Sequence, residues 1–200
     1  VTLADGLSLV LARALARGGS DSSDFDLNPG FVLPEGRVLR DAGVLVAVID
    51  GAAPAVLLTK RSSRLRHHPG QIAFPGGKVD PGDGGPVGAA LREAEEEVGL
   101  PRGAAEVLGT LPPHETVTGF TVTPVLARIA APFRPVPEAG EVDEVFTVPL
   151  AHLADRANYR VQSRVWRGQR RFYYTVPYGP YYVWGATARI LRGLAERLAP

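Results

Sequence analysis

Four glutamates fall within one and a half helical turns in the run Arg92-Glu93-Ala94-Glu95-Glu96-Glu97-Val98-Gly99-Leu100. Glu93, Glu96 and Glu97 are spaced i, i+3 and i+4, so a helix sets all three on one face. Like charges at that spacing destabilise an exposed helix by roughly 0.2–0.5 kcal/mol per pair. They also stand near the C-terminal end, where the helix dipole disfavours anions. Local stability therefore argues against the arrangement unless a cation offsets it, and magnesium or manganese with carboxylate ligands is the natural offset. The competing reading is a solvated acidic face with Arg92 as its intrahelical partner. The segment upstream favours the cation. Phe74-Pro75-Gly76-Gly77 lets backbone approach closely, a glycine-rich loop runs from Lys78 to Gly85, and the acidic helix follows directly. Carbonyls and carboxylates can then converge on metal ions, and the metal ions on a diphosphate.

The elements that must position these groups follow from periodicity. Pro86 to Val98 reads as a helix, with Pro86 suited to an early position and Leu91, Ala94 and Val98 as its apolar stripe. Gly99 is placed to end it and Pro101 to keep it ended. Upstream, Gly43–Ile49 and Ala55–Thr59 read as strands joined across Asp50-Gly51-Ala52 in a hairpin. A basic loop spans Lys60–His68, and Gln71–Phe74 is a short strand. Downstream, strands are expected at 105–111, 120–130 and 143–149. A second hairpin follows, in which Tyr159–Arg167 and Arg170–Val176 flank Gly168-Gln169, and Trp184–Leu198 closes as a helix. At the start, Leu7, Leu11 and Leu15 share one helical face, and Gly18–Asp26 reads as a flexible linker. The organisation expected is a helix and linker over residues 1–39 packing on one domain of residues 40–200. That domain is α/β (α+β), a mixed sheet with helices on its faces.

Composition narrows the chemistry. There is no cysteine, which excludes disulfides, thiolate nucleophiles and zinc–thiolate sites together. Only four histidines are present, at 67, 68, 114 and 152, so any metal should be a hard cation held by oxygens. A net charge of +1 over 200 residues does not ask for a nucleic acid or an anionic membrane as partner. No run approaches the ~18 apolar residues of a membrane span. The apolar N-terminal stretch carries Asp5 and Arg13 and reads as an amphipathic helix rather than a signal peptide. A cytoplasmic location is the default expectation.

The run from Arg92 to Leu100 resembles the second half of the Nudix box, Arg-Glu-apolar-any-Glu-Glu-any-Gly-apolar, with Ala94 as a small occupant of the apolar slot. The first half departs from the generic pattern. Counted from Gly77, Asp83 stands where glutamate is usual, and eight residues rather than seven separate it from Arg92. Upstream, the segment Leu57–Gly77 looks like the coenzyme A pyrophosphatase signature. It has Leu57-Leu58-Thr59, the pair Arg61-Ser62, Arg66, Gly70 and Phe74-Pro75-Gly76-Gly77. The altered box is also similar to that subfamily. Thr118–Val125 and Val183–Ala188 resemble its later segments, so the likeness runs from about Leu57 to Leu191. The resemblance implies a Nudix-type α/β/α sandwich that uses Mg2+ or Mn2+ and water to cut a diphosphate. For coenzyme A or its derivatives, the products would be 3′,5′-ADP and 4′-phosphopantetheine or its acyl form.

On that resemblance Glu93, Glu96 and Glu97 are the metal ligands and catalytic carboxylates, a carbonyl of Gly77 is a further candidate ligand, and Arg92 buttresses the glutamates. Glu141 and Glu115 are the candidates for general base or extra ligand, each with a surface acid as the alternative. Arg61, Arg64 and Arg66, with His67 and His68, gather donors beside Gln71, Gly76 and Gly77. Such a loop suits a small nucleotide substrate carrying a phosphate beyond its diphosphate; in the alternative, its arginines pair with Asp80, Asp83 or the glutamates. The aromatic stretch Tyr173–Trp184 reads as core packing or a homodimer interface rather than a platform for adenine. Three rival functions stand beside this one. The first is Nudix hydrolysis of ADP-ribose, a dinucleotide or a nucleoside triphosphate. The second is a Nudix-fold binding module without catalysis, which the retained glutamates disfavour. The third is a nucleic-acid binder, which the small net charge disfavours.

Overall fold

The computed structural model describes residues 3–31, 36–130, 133–166 and 168–199. In chain order the elements are α1 (Leu3–Ala16), β1 (Ser22–Ser23), β2 (Arg40–Ile49), β3 (Ala55–Arg61), β4 (Ile72–Ala73), β5 (Gly76–Lys78), α2 (Pro86–Val98), β6 (Ala105–Thr110), β7 (His114–Glu115) and β8 (Phe120–Ile129). They continue with β9 (Val142–Pro149), α3 (Leu150–Ala154), β10 (Arg160–Trp166), β11 (Gln169–Thr175) and α4 (Gly185–Leu198). A nine-stranded mixed sheet is built around β2 and β8, which run parallel from Arg40↔Phe120 to Ile49↔Ile129. β3 joins the end of β2 through the expected hairpin, β5 pairs with the start of β2, and β9 runs antiparallel to β3. β10 and β11 form a separate two-stranded sheet.

Side chains of β2 alternate between two apolar layers. Leu45 and Ala47 pack with Ala90, Ala94 and Val98 of α2 and with Val125, Ala127 and Ile129 of β8. Ala42, Val46 and Val48 face the other way, toward Leu7 and Leu11 of α1 and Leu191 and Leu194 of α4. A strand covered on both faces needs apolar residues at nearly every position, and that is why this part of the sequence reads as an unbroken run. The result is the expected sandwich of a mixed sheet between helices. α2 spans the predicted residues, and Gly99 ends it in the left-handed conformation, with the N–H groups of Gly99 and Leu100 donating to the carbonyls of Glu95 and Ala94. No helix among the described residues is long and apolar enough to cross a membrane.

Two local expectations need correction. Gly18–Asp26 was expected as a flexible linker, yet Ser22 and Ser23 pair with β7, and the fully buried His114 bonds Ser22 Oγ at 2.9 Å and Asp24 Oδ1 at 3.2 Å. The partner lies 92 residues along the chain, so local composition carries no sign of it. The second hairpin also turns earlier than Gly168-Gln169 suggests. Gln169 already pairs with Trp166, which sets Arg164 opposite Arg171. Arg167, expected at the end of the first hairpin strand, lies outside the described residues.

The seating of α2 on the sheet depends on Gly43. A Cβ there would stand 1.9 Å from the Pro86 carbonyl oxygen and 3.1 Å from the Ala90 nitrogen, both backbone atoms that cannot step aside. Gly43→Ala is expected to destabilise the protein by about 1–3 kcal/mol, read as a lower denaturant midpoint. An unchanged midpoint would mean that helix and strand are not in this contact.

Candidate active site

The acidic face of α2 meets β5, and the meeting point buries a carboxylate. The Glu97 side chain is only 5% exposed. It accepts a hydrogen bond from the Gly76 N–H at 3.2 Å, and Arg61 Nη1 stands 3.9 Å from its other oxygen. Burial is the main cause that pushes the Glu97 carboxyl up to about 7. The Gly76 N–H opposes that shift, as Arg61 does, while the charges of Glu93 and Glu141 add to it. Glu93, one turn earlier, is also raised, chiefly by burial and against the pull of Arg92. Gly77 leaves the space for this carboxylate, since a Cβ there would lie 2.2 Å from Glu93 Oε1.

Arg92 is the hub of the surrounding polar contacts. Its Nη1 donates to Glu93 Oε1 and to Glu96 Oε2, each at 3.0 Å. Its Nε and Nη2 donate to the two oxygens of Asp83, at 2.8 and 3.1 Å. The guanidinium holds the Asp83 carboxyl down at about 2, helped by the Asp80 N–H. Asp83, the residue at which the box departs from its generic form, thus anchors Arg92 to the loop before α2. Glu96 is exposed at the outer edge of the cluster.

The donor set suits a hard divalent cation. Every group is a carboxylate or carbonyl oxygen, and burial makes the charged forms of Glu93 and Glu97 costly, a cost that a bound cation would offset. Among the described residues no three acidic or imidazole side chains already converge on one centre. Arg92 bonds a single oxygen of Glu93 and of Glu96. The two candidates for an additional acid separate clearly. The charge of Glu141 acts on both Glu93 and Glu97, and its carbonyl accepts the Ser62 N–H at 2.7 Å, which ties its loop to the end of β3. Glu115 instead pairs with Arg37 at 2.5 Å.

A cavity of about 300 Å³ opens beside this cluster, and Arg61, His68, Gln71 and Gly76 line it. Arg64 and Arg66 do not. The Arg64 guanidinium donates to the Ala139 carbonyl, and Arg66 is exposed to solvent. The structure therefore divides the basic loop, bringing one of its three arginines to the cluster. Tyr173 and Trp184, expected in core packing or an interface, line the cavity instead, edge to face with ring centroids 5.3 Å apart. Arg164 and Arg171 line it too, and the sequence reading overlooked both. Their alternation with Gln162 and Tyr173 on one face of the hairpin was a usable signal, once the turn is placed correctly.

The NUDIX domain family model matches residues 39–169. The Nudix hydrolase NudL of Citrobacter koseri, named as uncharacterized, is 46% identical over 159 residues, covering 80% of this chain and 83% of that protein. The protein of the same name from Escherichia coli K12 is 45% identical over the same shares. Among solved structures, a NUDIX hydrolase from Alicyclobacillus acidocaldarius matches at a TM-score of 0.51 and 20% identity, covering 80% of this chain and 93% of that one. The NUDIX domain of Shewanella oneidensis NrtR, crystallised with ADP ribose, matches at a TM-score of 0.51 and 16% identity over the whole of both chains. These two likenesses establish the fold.

The raised carboxyl of Glu97 sets a pH dependence for the metal-free protein. Between the ordinary glutamate value and about 7, the folded state holds a proton that the unfolded state has released. Stability contributed by this group is therefore full below pH ~4.5 and falls as pH rises through about 7. The loss amounts to about 2–3 kcal/mol between pH 5 and 8. Thermal melts in chelator should show Glu97→Gln gaining on the wild type over that range; parallel curves would mean that the carboxylate is not buried as described.

Proposed function

The chain belongs to the Nudix hydrolase family, and from that premise we propose that it hydrolyses the diphosphate linkage of coenzyme A or its derivatives with Mg2+ or Mn2+. The observation that carries the reading is that Arg61 and Gly76, which line the cavity, both meet the Glu97 carboxylate. Arg61 belongs to the Leu57–Gly77 segment that resembles the coenzyme A pyrophosphatase signature, and it stands against the carboxylate of the Nudix helix.

Glu93, Glu96 and Glu97 would hold the cation, and a Gly77 carbonyl is a candidate further ligand. When bound, the cation would neutralise charge on the phosphate oxygens and make water more acidic. Arg92 positions Glu93 and Glu96 through its shared Nη1, and Asp83 positions Arg92. Glu141 takes the proton from water as it attacks one phosphorus, and the P–O–P bridge breaks to give 3′,5′-ADP and 4′-phosphopantetheine or its acyl form. Arg61 holds a phosphate oxygen by charge-assisted hydrogen bonds, and Gln71 and the Gly76 backbone complete that wall. Arg64 keeps the loop before Glu141 in place through the Ala139 carbonyl, and Arg66 has no role in this account.

Turnover should be measured by mass spectrometry on coenzyme A, ADP-ribose, NADH and a diadenosine polyphosphate, each with Mg2+ or Mn2+. Preferred, metal-dependent release of 3′,5′-ADP from coenzyme A is expected; cleavage of another member of the panel with coenzyme A untouched would replace the substrate. Glu97→Gln should lower kcat by roughly 10²–10⁴-fold with the fold intact, and full activity would remove the metal assignment. Gly77→Ala should leave the melting temperature almost unchanged, because the group it meets is the movable end of Glu93. It should nevertheless cost most of the activity, since that end is the carboxylate itself.

A further inference from the structure

The β10–β11 hairpin sets two arginines side by side. Arg164 and Arg171 are direct cross-strand partners, so their side chains leave the same face of the ribbon. Like charges directly opposite each other destabilise a strand pair. Neither arginine has a carboxylate partner among the described residues. Each is held by aromatic rings instead. The Arg164 guanidinium lies 4.7 Å from the Trp184 ring centroid, and that of Arg171 lies 4.3 Å from Phe31 and 4.5 Å from Trp166. Arg171 Nε is buried without a hydrogen-bond acceptor, an omission that costs about 1–3 kcal/mol in a folded protein. Both side chains line the same cavity that Arg61 and Gly76 line beside Glu97. Asp24 is the acid on that wall, and it is already engaged, with His114 and with the Val117 N–H at 2.9 Å.

We propose that Arg164 and Arg171 form a second anion site, which binds a phosphate monoester on the nucleoside half of the substrate. The inference rests on the reading that a nucleoside diphosphate derivative occupies this cavity, and it names the feature by which such substrates are told apart. The rings of Trp184, Phe31 and Trp166 hold the two guanidinium groups in place, no carboxylate among the described residues takes their N–H groups, and arginine is the side chain that takes phosphate oxygens in pairs. Tyr173, on the same hairpin face two residues from Arg171, and Trp184 supply apolar ring surface next to that site. The ribose 3′-phosphate of coenzyme A is a group of this class, whereas ADP-ribose and NADH have none. Recognition of the additional phosphate thereby moves from the Arg61–Arg66 loop to the hairpin.

The test is calorimetric binding of adenosine 3′,5′-bisphosphate and of adenosine 5′-monophosphate to the full chain, as wild type, Arg164→Gln, Arg171→Gln and Arg171→Lys. The wild type should bind the bisphosphate at least about 10-fold more tightly. Each Gln variant should shrink that preference toward unity, and Arg171→Lys should keep part of it. Equal wild-type affinities would overturn the proposal, as would a preference that survives in both Gln variants. Should Arg171→Gln fail to fold, Arg164→Gln and Arg171→Lys decide alone. Turnover of coenzyme A keeps the two readings apart. Bisphosphate preference without coenzyme A cleavage upholds the arginine pair and removes that substrate; coenzyme A cleavage without the preference removes the pair.

Discussion

Glu97 lies between a helix and a sheet with almost no access to water, and one backbone N–H and a distant guanidinium are the groups that meet its charge. A buried carboxylate so sparsely compensated costs free energy unless it stays protonated or a cation joins it. Much of the surrounding structure follows from keeping it there. α2 must sit close enough to the strands for the Gly76 N–H to reach Glu97, and that closeness requires a residue without a side chain at 43. The neighbouring glutamate needs the same at 77. Arg92 then compensates the outer part of the cluster, and Asp83 holds Arg92. The fold thus gathers acidic side chains beside a cavity whose walls carry Arg61, Arg164 and Arg171. That polarity is what a metal-assisted attack on a diphosphate needs, with a cation on one side and phosphate oxygens between.

How much of this was legible in the sequence depends on the distance over which each feature is encoded. The i, i+3, i+4 spacing of Glu93, Glu96 and Glu97, the helix limits at Pro86 and Gly99, and the buried strand runs are local patterns, and the structure carries them. The sandwich follows from those runs, because strands apolar at nearly every position need helices on both faces. Features that depend on partners far along the chain were not legible. His114 gives no local sign that it will pin Ser22 and Asp24, so a polar stretch read as a linker became a paired edge of the sheet.

The candidate site divides in the same way. Arg61, Arg64 and Arg66 look equivalent in the sequence, but β3 ends at Arg61 and the chain then turns toward the 138–141 loop. Arg61 is left beside Glu97, while Arg64 is committed to Ala139. The aromatic stretch reads as core packing or an interface because alternation alone cannot tell either from a cavity wall. Only the position of the hairpin, with Arg164 opposite Arg171 and Tyr173 next along, turns that face into a cavity wall.

A buried, sparsely compensated carboxylate such as Glu97 is expected to take a cation. Manganese titrated into the protein at pH 7 by calorimetry, in two buffers of different ionisation enthalpy, tests it most directly. Binding is expected to be accompanied by proton release from Glu97, with both the affinity and the released proton lost in Glu97→Gln. Manganese bound with equal affinity by that variant, and without proton release by the wild type, would contradict it.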